Sequence, residues 1–536
     1  MREEWMRIST SFWALTLALG AGACGGREEA PAEETKVVEE SDQAPVSLGL
    51  FDEMSDIGDV ATPGSASFDP GTGVYEITAS GENMWADKDA FTYVWTKMSG
   101  DVFVSADIEW LGEGVHEHRK AGVVIRESLE PDARYADIVI HGDGLTSLQY
   151  RDETGGETRQ IVSAVQDASR VRLEKEGDYV FMSVALEDGG WQRGGGNYRI
   201  PFGDEFYVGL AVCSHDNSVT ETARFSNVEI TPLDLEPVTE TGYPAGVDSS
   251  LEILDVATGN REVIYTSDDK FEAPNWSRDG EYLLFNGGGY IWKIPAEGGD
   301  PVKVNTGPYI RNNNDHGISP DGTQLIISDQ SQPDDISRIY LLPIEGADEP
   351  REVVSHPTAR SYWHAWSPDG EVIAYTAQRP EISDSYNIWA KRLDGGEEWR
   401  VTDSDGLDDG ADFSPDGEWL YFNSTRTGAM QIWKVRPDGT EPTQVTFDES
   451  YRDWFPHPSP DGKWIIMVSF GLDVDLADHP PNRDVFIRMM PADGSEPPHI
   501  VTKLHGGQGT INVPSWSPDS TRVAMVSYRL DRPDRP

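Results

Sequence analysis

The phrase NWSRDG at Asn275–Gly280 returns as GISPDG at Gly317–Gly322, AWSPDG at Ala365–Gly370, DFSPDG at Asp412–Gly417, HPSPDG at His457–Gly462 and SWSPDS at Ser515–Ser520. The shared serines, Ser277, Ser319, Ser367, Ser414, Ser459 and Ser517, stand 42, 48, 47, 45 and 58 residues apart. Self-similarity at this period marks a repeat architecture, and about 40–50 residues makes one four-stranded propeller blade. Within the phrase, Pro fixes φ, Asp caps the turn and Gly takes the positive φ of a tight reversal. A strand-like run follows each turn, as in Tyr282–Phe285, Val372–Tyr375 and Val523–Val526. The spacing predicts a six-bladed β-propeller.

Each repeat also carries a second phrase of strand, Gly-containing turn and strand, such as IWKIPAEGGDPVKV at Ile291–Val304 and IWKVRPDGTEPTQV at Ile432–Val445. The sixth repeat lacks it, and LEILDVATGNREVIY at Leu251–Tyr265 supplies it ahead of the first. A ring whose last blade is completed by its own N-terminal strands leaves no open sheet edge. The propeller is therefore expected over residues 249–531, with a linker at 234–248 and a tail at 532–536.

Phe12–Leu19 (FWALTLAL) is too short to span a bilayer and is followed by small residues and Cys24. Ala21-Gly22-Ala23-Cys24 resembles a lipoprotein signal-peptide box. The resemblance implies a signal peptide at 1–23 and diacylglycerol on Cys24. It also implies anchoring to outer-membrane lipid on either face, which Gly25 favours. The alternative is an ordinary secreted signal, and the start is Met1 or Met6. Residues 24–47, rich in Glu, Ala and Pro, are expected to be a disordered acidic tether.

Acidic residues number 94 against 43 basic, a net charge of −51. No basic patch outweighs such a field, so nucleic acid is excluded as a partner. The mature chain is read as a monomer. Its one remaining thiol, Cys213, sits in the apolar run YVGLAVCSH and is expected in the core.

Residues 48–233 show short alternating strands separated by Gly and Asp turns, the pattern of a β-sandwich. The stretches MWADKDAFTYVW, AGVVIRES and YVGLAVCSHDNSVTETARFSNVEI together resemble concanavalin A-like jelly-roll modules. That resemblance implies fold more than activity, because the fold hosts lectins, hydrolases and spacers alike. No E-x-D-x-x-E strand supplies the carboxylate pair of a glucanase. Trp85, Trp95, Trp110 and Trp191 offer stacking faces for sugar rings, with core positions accounting for three of them.

The six repeats resemble the TolB-type (PD40) propeller family, which includes an envelope protein, peptidase propellers and oligogalacturonate lyases. A G-x-S-x-G elbow is missing, which argues against a peptidase. Residues just before each turn should line the central channel, and these slots hold Asp315, His316, His364, Asp409, Asp412 and His457. His505, Gln508 and Asn512 in HGGQGTINVPSW are expected near the same mouth. His316, His364 and His457 are candidate ligands for a divalent metal (Mn, Fe, Zn or Ca), since imidazole with carboxylate suits such ions. The alternative is that these polar residues solvate a water-filled channel.

The sequence thus reads as an all-β cell-envelope lipoprotein that binds or scaffolds glycan or envelope-protein ligands. The alternative is a metal-dependent carbohydrate-active enzyme, oligogalacturonate-lyase-like or glycoside-cleaving, with its site in the channel. The Cys24→Ala variant is expected to leave the membrane fraction for the soluble one with both domains intact. Immunoblotting of salt-washed membranes checks this, and a variant that stays membrane-bound refutes the anchor.

Overall fold

The serine of each repeat organises its turn in the same way. Its hydroxyl donates to the Asp two residues on at 2.5–2.7 Å and accepts the amide five residues on at 2.9–3.0 Å. Each bond contributes about 1 kcal/mol, and together they lock the corner between two strands. Gly closes the first five turns at φ between 72° and 77°. Ser520 holds φ 63° in the sixth, and its Oγ accepts the amide of Asp461 from the preceding repeat.

The computed structural model describes residues 47–186, 188–192, 195–235 and 246–530. The expected signal peptide, almost all of the tether, most of the linker and the tail lie outside these residues. Among them the only helix is a single 3₁₀ turn at Gln508–Thr510, and the chain is otherwise strands and turns.

Five antiparallel four-stranded sheets follow one another as blades 1 to 5. Their inner strands are Phe271–Trp276, Asn312–Ile318, Ser361–Trp366, Asp408–Phe413 and Arg452–Pro458. Apolar faces of neighbouring blades share clusters, as where Ile326 and Ile339 of blade 2 pack with Trp363 and Tyr375 of blade 3.

Six separate blades were expected, and the structure corrects this: among the described residues only five stand as sheets of their own. The sixth repeat contributes Arg522–Leu530, which pairs antiparallel with Val247–Asp255 (Leu251 opposite Val526), and that strand pairs in turn with Arg261–Ser267. The outer strand does not end at an edge. Ile161 and Val162 pair with Arg261 and Glu262 in parallel, so these three strands run on into a ten-stranded sheet of the N-terminal half.

That half consists of two antiparallel sheets enclosing one apolar cluster. Val94, Val123, Ile138 and Leu210 from one sheet meet Ile77, Val104, Leu173 and Phe225 from the other. On the outer face of the ten-stranded sheet, fully buried Asp89 binds Arg126 at 2.8 Å and Arg151 at 2.9 Å. Cys213 is buried beside them, where burial pushes its thiol up to about 11. Of the four tryptophans, Trp95 alone is a buried core residue. The half-buried rings of Trp85, Trp110 and Trp191 lie under Lys120, Arg119 and Arg172 at 5.2, 4.3 and 4.7 Å, which places cations where a sugar would stack.

Buried polar groups fasten the junction of the two halves. Arg261 binds Glu252 at 2.6 Å with both side chains fully buried, and Ser527 also donates to Glu252. Arg529 reaches Glu174 at 2.5 Å, and Asn197 donates to the Tyr528 carbonyl. Removing one partner of a buried pair strands the other charge at a cost of about 3–5 kcal/mol. Glu252→Leu is therefore expected to destabilise the chain by about that amount, read by denaturant titration; an unchanged midpoint would refute the role of this pair.

Candidate functional site

Each of the five inner strands breaks register once, between Glu272 and Asn275, Asn312 and His316, Trp363 and Ala365, Asp409 and Asp412, and Trp454 and His457. A bulge bends the strand and re-aims its side chains. In blade 3 the bulge frees His364, whose Nε2 lies 3.0 Å from Asp409 Oδ1 of blade 4. His479, from the loop between the second and third strands of blade 5, places Nε2 3.8 Å from the other Asp409 oxygen. Asp315 of blade 2 accepts from Asn313 at 2.6 Å and from Asn512 at 3.1 Å. With Tyr362, Tyr386 and Gln508, these groups line a cavity of about 640 Å³ at the end of the channel away from the serine turns.

Burial sets opposite states on the two carboxylates. It pushes Asp315 up to about 7, against the pull of His364. Burial would raise Asp409 as well, but the hydrogen bond and charge of His364, with His479, hold it down at about 2. Burial likewise opposes charge on His364, and Asp409 outweighs it, so the imidazole sits above its ordinary value. The mouth therefore presents a charged carboxylate between histidines beside a carboxyl poised near neutrality.

The expected channel residues divide. Asp315, His364, Asp409 and Gln508 line the cavity, and Asn512 holds Asp315. His316 does not point there: it returns to the ladder opposite Ile327, its Nδ1 3.2 Å from the Asn314 carbonyl oxygen, and burial takes it down to about 4. His457 lies deeper, with Nδ1 3.0 Å from Asp412 and Nε2 2.8 Å from the Ile511 carbonyl oxygen, so both ring nitrogens are engaged. Asp412 faces the opposite, serine-turn end of the channel. His505 sits in the outermost strand of blade 5, His499–Gly506, and its ring meets Tyr179 of the N-terminal half.

The expected metal set of His316, His364 and His457 is therefore not assembled. Its logic placed every slot just before a serine turn at one depth, which the differing bulges undo. Sequence reasoning missed His479, Tyr362 and Tyr386. The long last period of 58 residues was the available signal for His479, because its surplus includes the loop that carries it.

A second cavity of about 720 Å³ adjoins the first, with Asn313 in both walls, and is lined by Tyr265, Tyr290, Trp292 and Lys303. Neutralising Asp315 should report on the mouth. A folded-state value near 7 against an ordinary 3.8 means the native state holds the proton more tightly, so stability is lost as pH rises between those values. Asp315→Asn lacks this penalty, and its stability relative to wild type is expected to rise by on the order of 2 kcal/mol from pH 5 to pH 8. Denaturant titrations at the two pH values check this; a pH-independent difference would refute it.

The model of the TolB beta propeller domain (PD40) matches residues 317–478. The uncharacterized protein Atu1656 of Agrobacterium fabrum is 45% identical over 289 residues, covering 54% of this chain and 95% of its own length. A solved Agrobacterium tumefaciens structure assigned to TolB is also 45% identical, with a TM-score of 0.50 over 53% of this chain and 99% of that one. An oligogalacturonate lyase solved with manganese aligns over 50% of this chain and 75% of its own at 17% identity and a TM-score of 0.34, which carries no inference about chemistry here. Through its repeats, their shared turn and these relatives, the chain belongs to the TolB-like PD40 β-propeller family.

Proposed function

We propose that this protein is a cell-envelope lipoprotein, anchored through Cys24 to the outer membrane, whose propeller mouth binds a neutral oligosaccharide. The observation that carries this reading is the pair of adjoining cavities sharing Asn313. Two neighbouring cavities with a common wall residue suit a ligand of several units better than one small molecule. Flat faces come from Tyr265, Tyr362 and Tyr386, and hydrogen-bonding groups from Asn313, Gln330 and Gln508, while Lys303 covers the rings of Tyr290 and Trp292. Aromatic faces with fixed polar groups are what sugar rings and their hydroxyls require. The net charge of −51 disfavours a polyanionic chain at long range, although Arg360, Lys270 and Lys303 also line the two cavities.

In this reading the three strands that close the chain, with the short segment at Trp516, act as a sixth blade. Trp516 bridges to Val523, and Ser517 and Asp519 make the same turn as the other repeats. The two-sheet N-terminal half is taken as a concanavalin A-like module that holds the propeller. A binding role, with an envelope protein as the other ligand class, accounts for the mouth without chemistry.

Titration calorimetry with neutral oligosaccharides prepared from bacterial envelope glycans tests the proposal. Tyr386→Ala is expected to weaken binding by about tenfold or more, as loss of one aromatic platform does. Absence of binding across neutral glycans, or binding indifferent to Tyr386→Ala and Tyr362→Ala alike, would overturn it.

A further inference from the structure

Four of the chain's 11 histidines gather on the N-terminal half, away from the propeller mouth. His141 ends the strand Tyr135–His141, and Asp143 lies two residues on, in the turn before Thr146–Arg151. His116 and His118 come from the loop before Lys120–Arg126, and the two segments are tied by the Asp143 amide donating to the Glu117 carbonyl at 2.9 Å. His215 stacks on His116 at 4.2 Å between centroids and lies 5.8 Å from His118. It does so at φ 61°, a conformation costly for a residue with a Cβ and one that concentrates at functional sites.

We propose that His118, His141 and Asp143 form a binding site for a divalent transition-metal ion of the zinc class. One ligand-capable atom from each lies within 4.8 Å of the others, the only such group of three among the described residues. His118 Nδ1 stands 3.9 Å from Asp143 Oδ2. Ligands about 2.0–2.1 Å from a tetrahedral ion lie roughly 3.3 Å apart, so closure by about 1.5 Å or less completes the contact. His118 Nδ1 and His141 Nδ1 are both buried nitrogens that make no hydrogen bond. His141 is 5% exposed, and such an orphaned acceptor is costly unless something binds it.

The surroundings fit a ligand tautomer. The Gln149 amide lies against His141 Nε2 at 3.3 Å, while Gln149 Oε1 is itself buried without a partner. Turning the amide over, a choice that side-chain geometry leaves free, lets Oε1 accept from Nε2–H and leaves the Nδ1 lone pair bare. An outer hydrogen bond of this kind is what orients metal-binding histidines. The Lys120 ammonium is held on Asn83 and the Met84 carbonyl. His116 Nδ1 accepts the His118 amide at 3.0 Å, which ties the loop that carries His118. Two imidazoles and one carboxylate leave open positions for water or a further ligand and favour zinc, nickel or cobalt over calcium or magnesium.

The test is titration of the chelator-stripped full-length chain with Zn²⁺ by calorimetry and with Co²⁺ by visible absorption. The expected result is one saturable equivalent, weakened at least tenfold in His118→Ala and in Asp143→Asn. These two side chains are partly exposed loop positions, so the variants should melt like wild type in chelator. Gln149→Leu is expected to weaken binding about tenfold while leaving the ligands in place. No saturable uptake, weak binding at many sites unaffected by these variants, or loss caused by His364→Ala instead would each overturn the proposal.

Discussion

The fold depends on one strand, Val247–Asp255, being held on both sides. Arg522–Leu530 binds one edge and Arg261–Ser267 the other, joining chain segments more than two hundred and fifty residues apart. Glu252 at its centre is the buried counter-charge of Arg261 and an acceptor for Ser527, so the pairing is fixed by charge as well as by ladder bonds. Because this strand anchors the end of the chain, Ile511 and Asn512 are brought against His457 and Asp315. The chemistry of the channel is thus a product of how the chain closes, not of any single repeat.

What the repeats made legible and what they hid follow from different length scales. The serine turn is local: a hydroxyl, a carboxylate and an amide within five residues, identical in six copies, so pattern alone marked a turn there, though not the part the hydroxyl plays in it. Blade pairing followed, including the use of Leu251–Tyr265 beside the last strand. Bulge position is not local, since it answers to the neighbouring blade. His316 and His364 occupy the same offset from their serines, yet one rejoins its ladder and the other stands out of it toward Asp409. Equal spacing in sequence therefore did not mean equal direction in space. The merging of the last strands with the N-terminal sheet was equally hidden, because nothing in Arg159–Val162 distinguishes an edge strand from a shared one.

The histidines illustrate the same point in reverse. Attention to the channel followed the repeat, whereas His116, His118, His141 and His215 share no period and are spread over about a hundred residues. Only the folding of two loops and a hairpin turn onto one another assembles them. Within the channel, conversely, both ring nitrogens of His457 are already used by protein acceptors. The acidic excess also acquires structure: many carboxylates are consumed as turn caps or as partners of arginines, as Asp279, Asp321 and Asp89 are.

The parallel contact of Ile161 and Val162 with Arg261 and Glu262 has a mechanical consequence. A continuous ladder crossing from one half to the other leaves no swivel between them. Lys503 on Asp152 and Tyr179 on Asp484 brace the same seam from the side. Relative motion must then be a shared torsion of the ten-stranded sheet, distributed over many residues and stiff to bending. A perturbation at the propeller mouth would be felt in the N-terminal half as a change of twist, with no open and closed pair of domain positions to switch between.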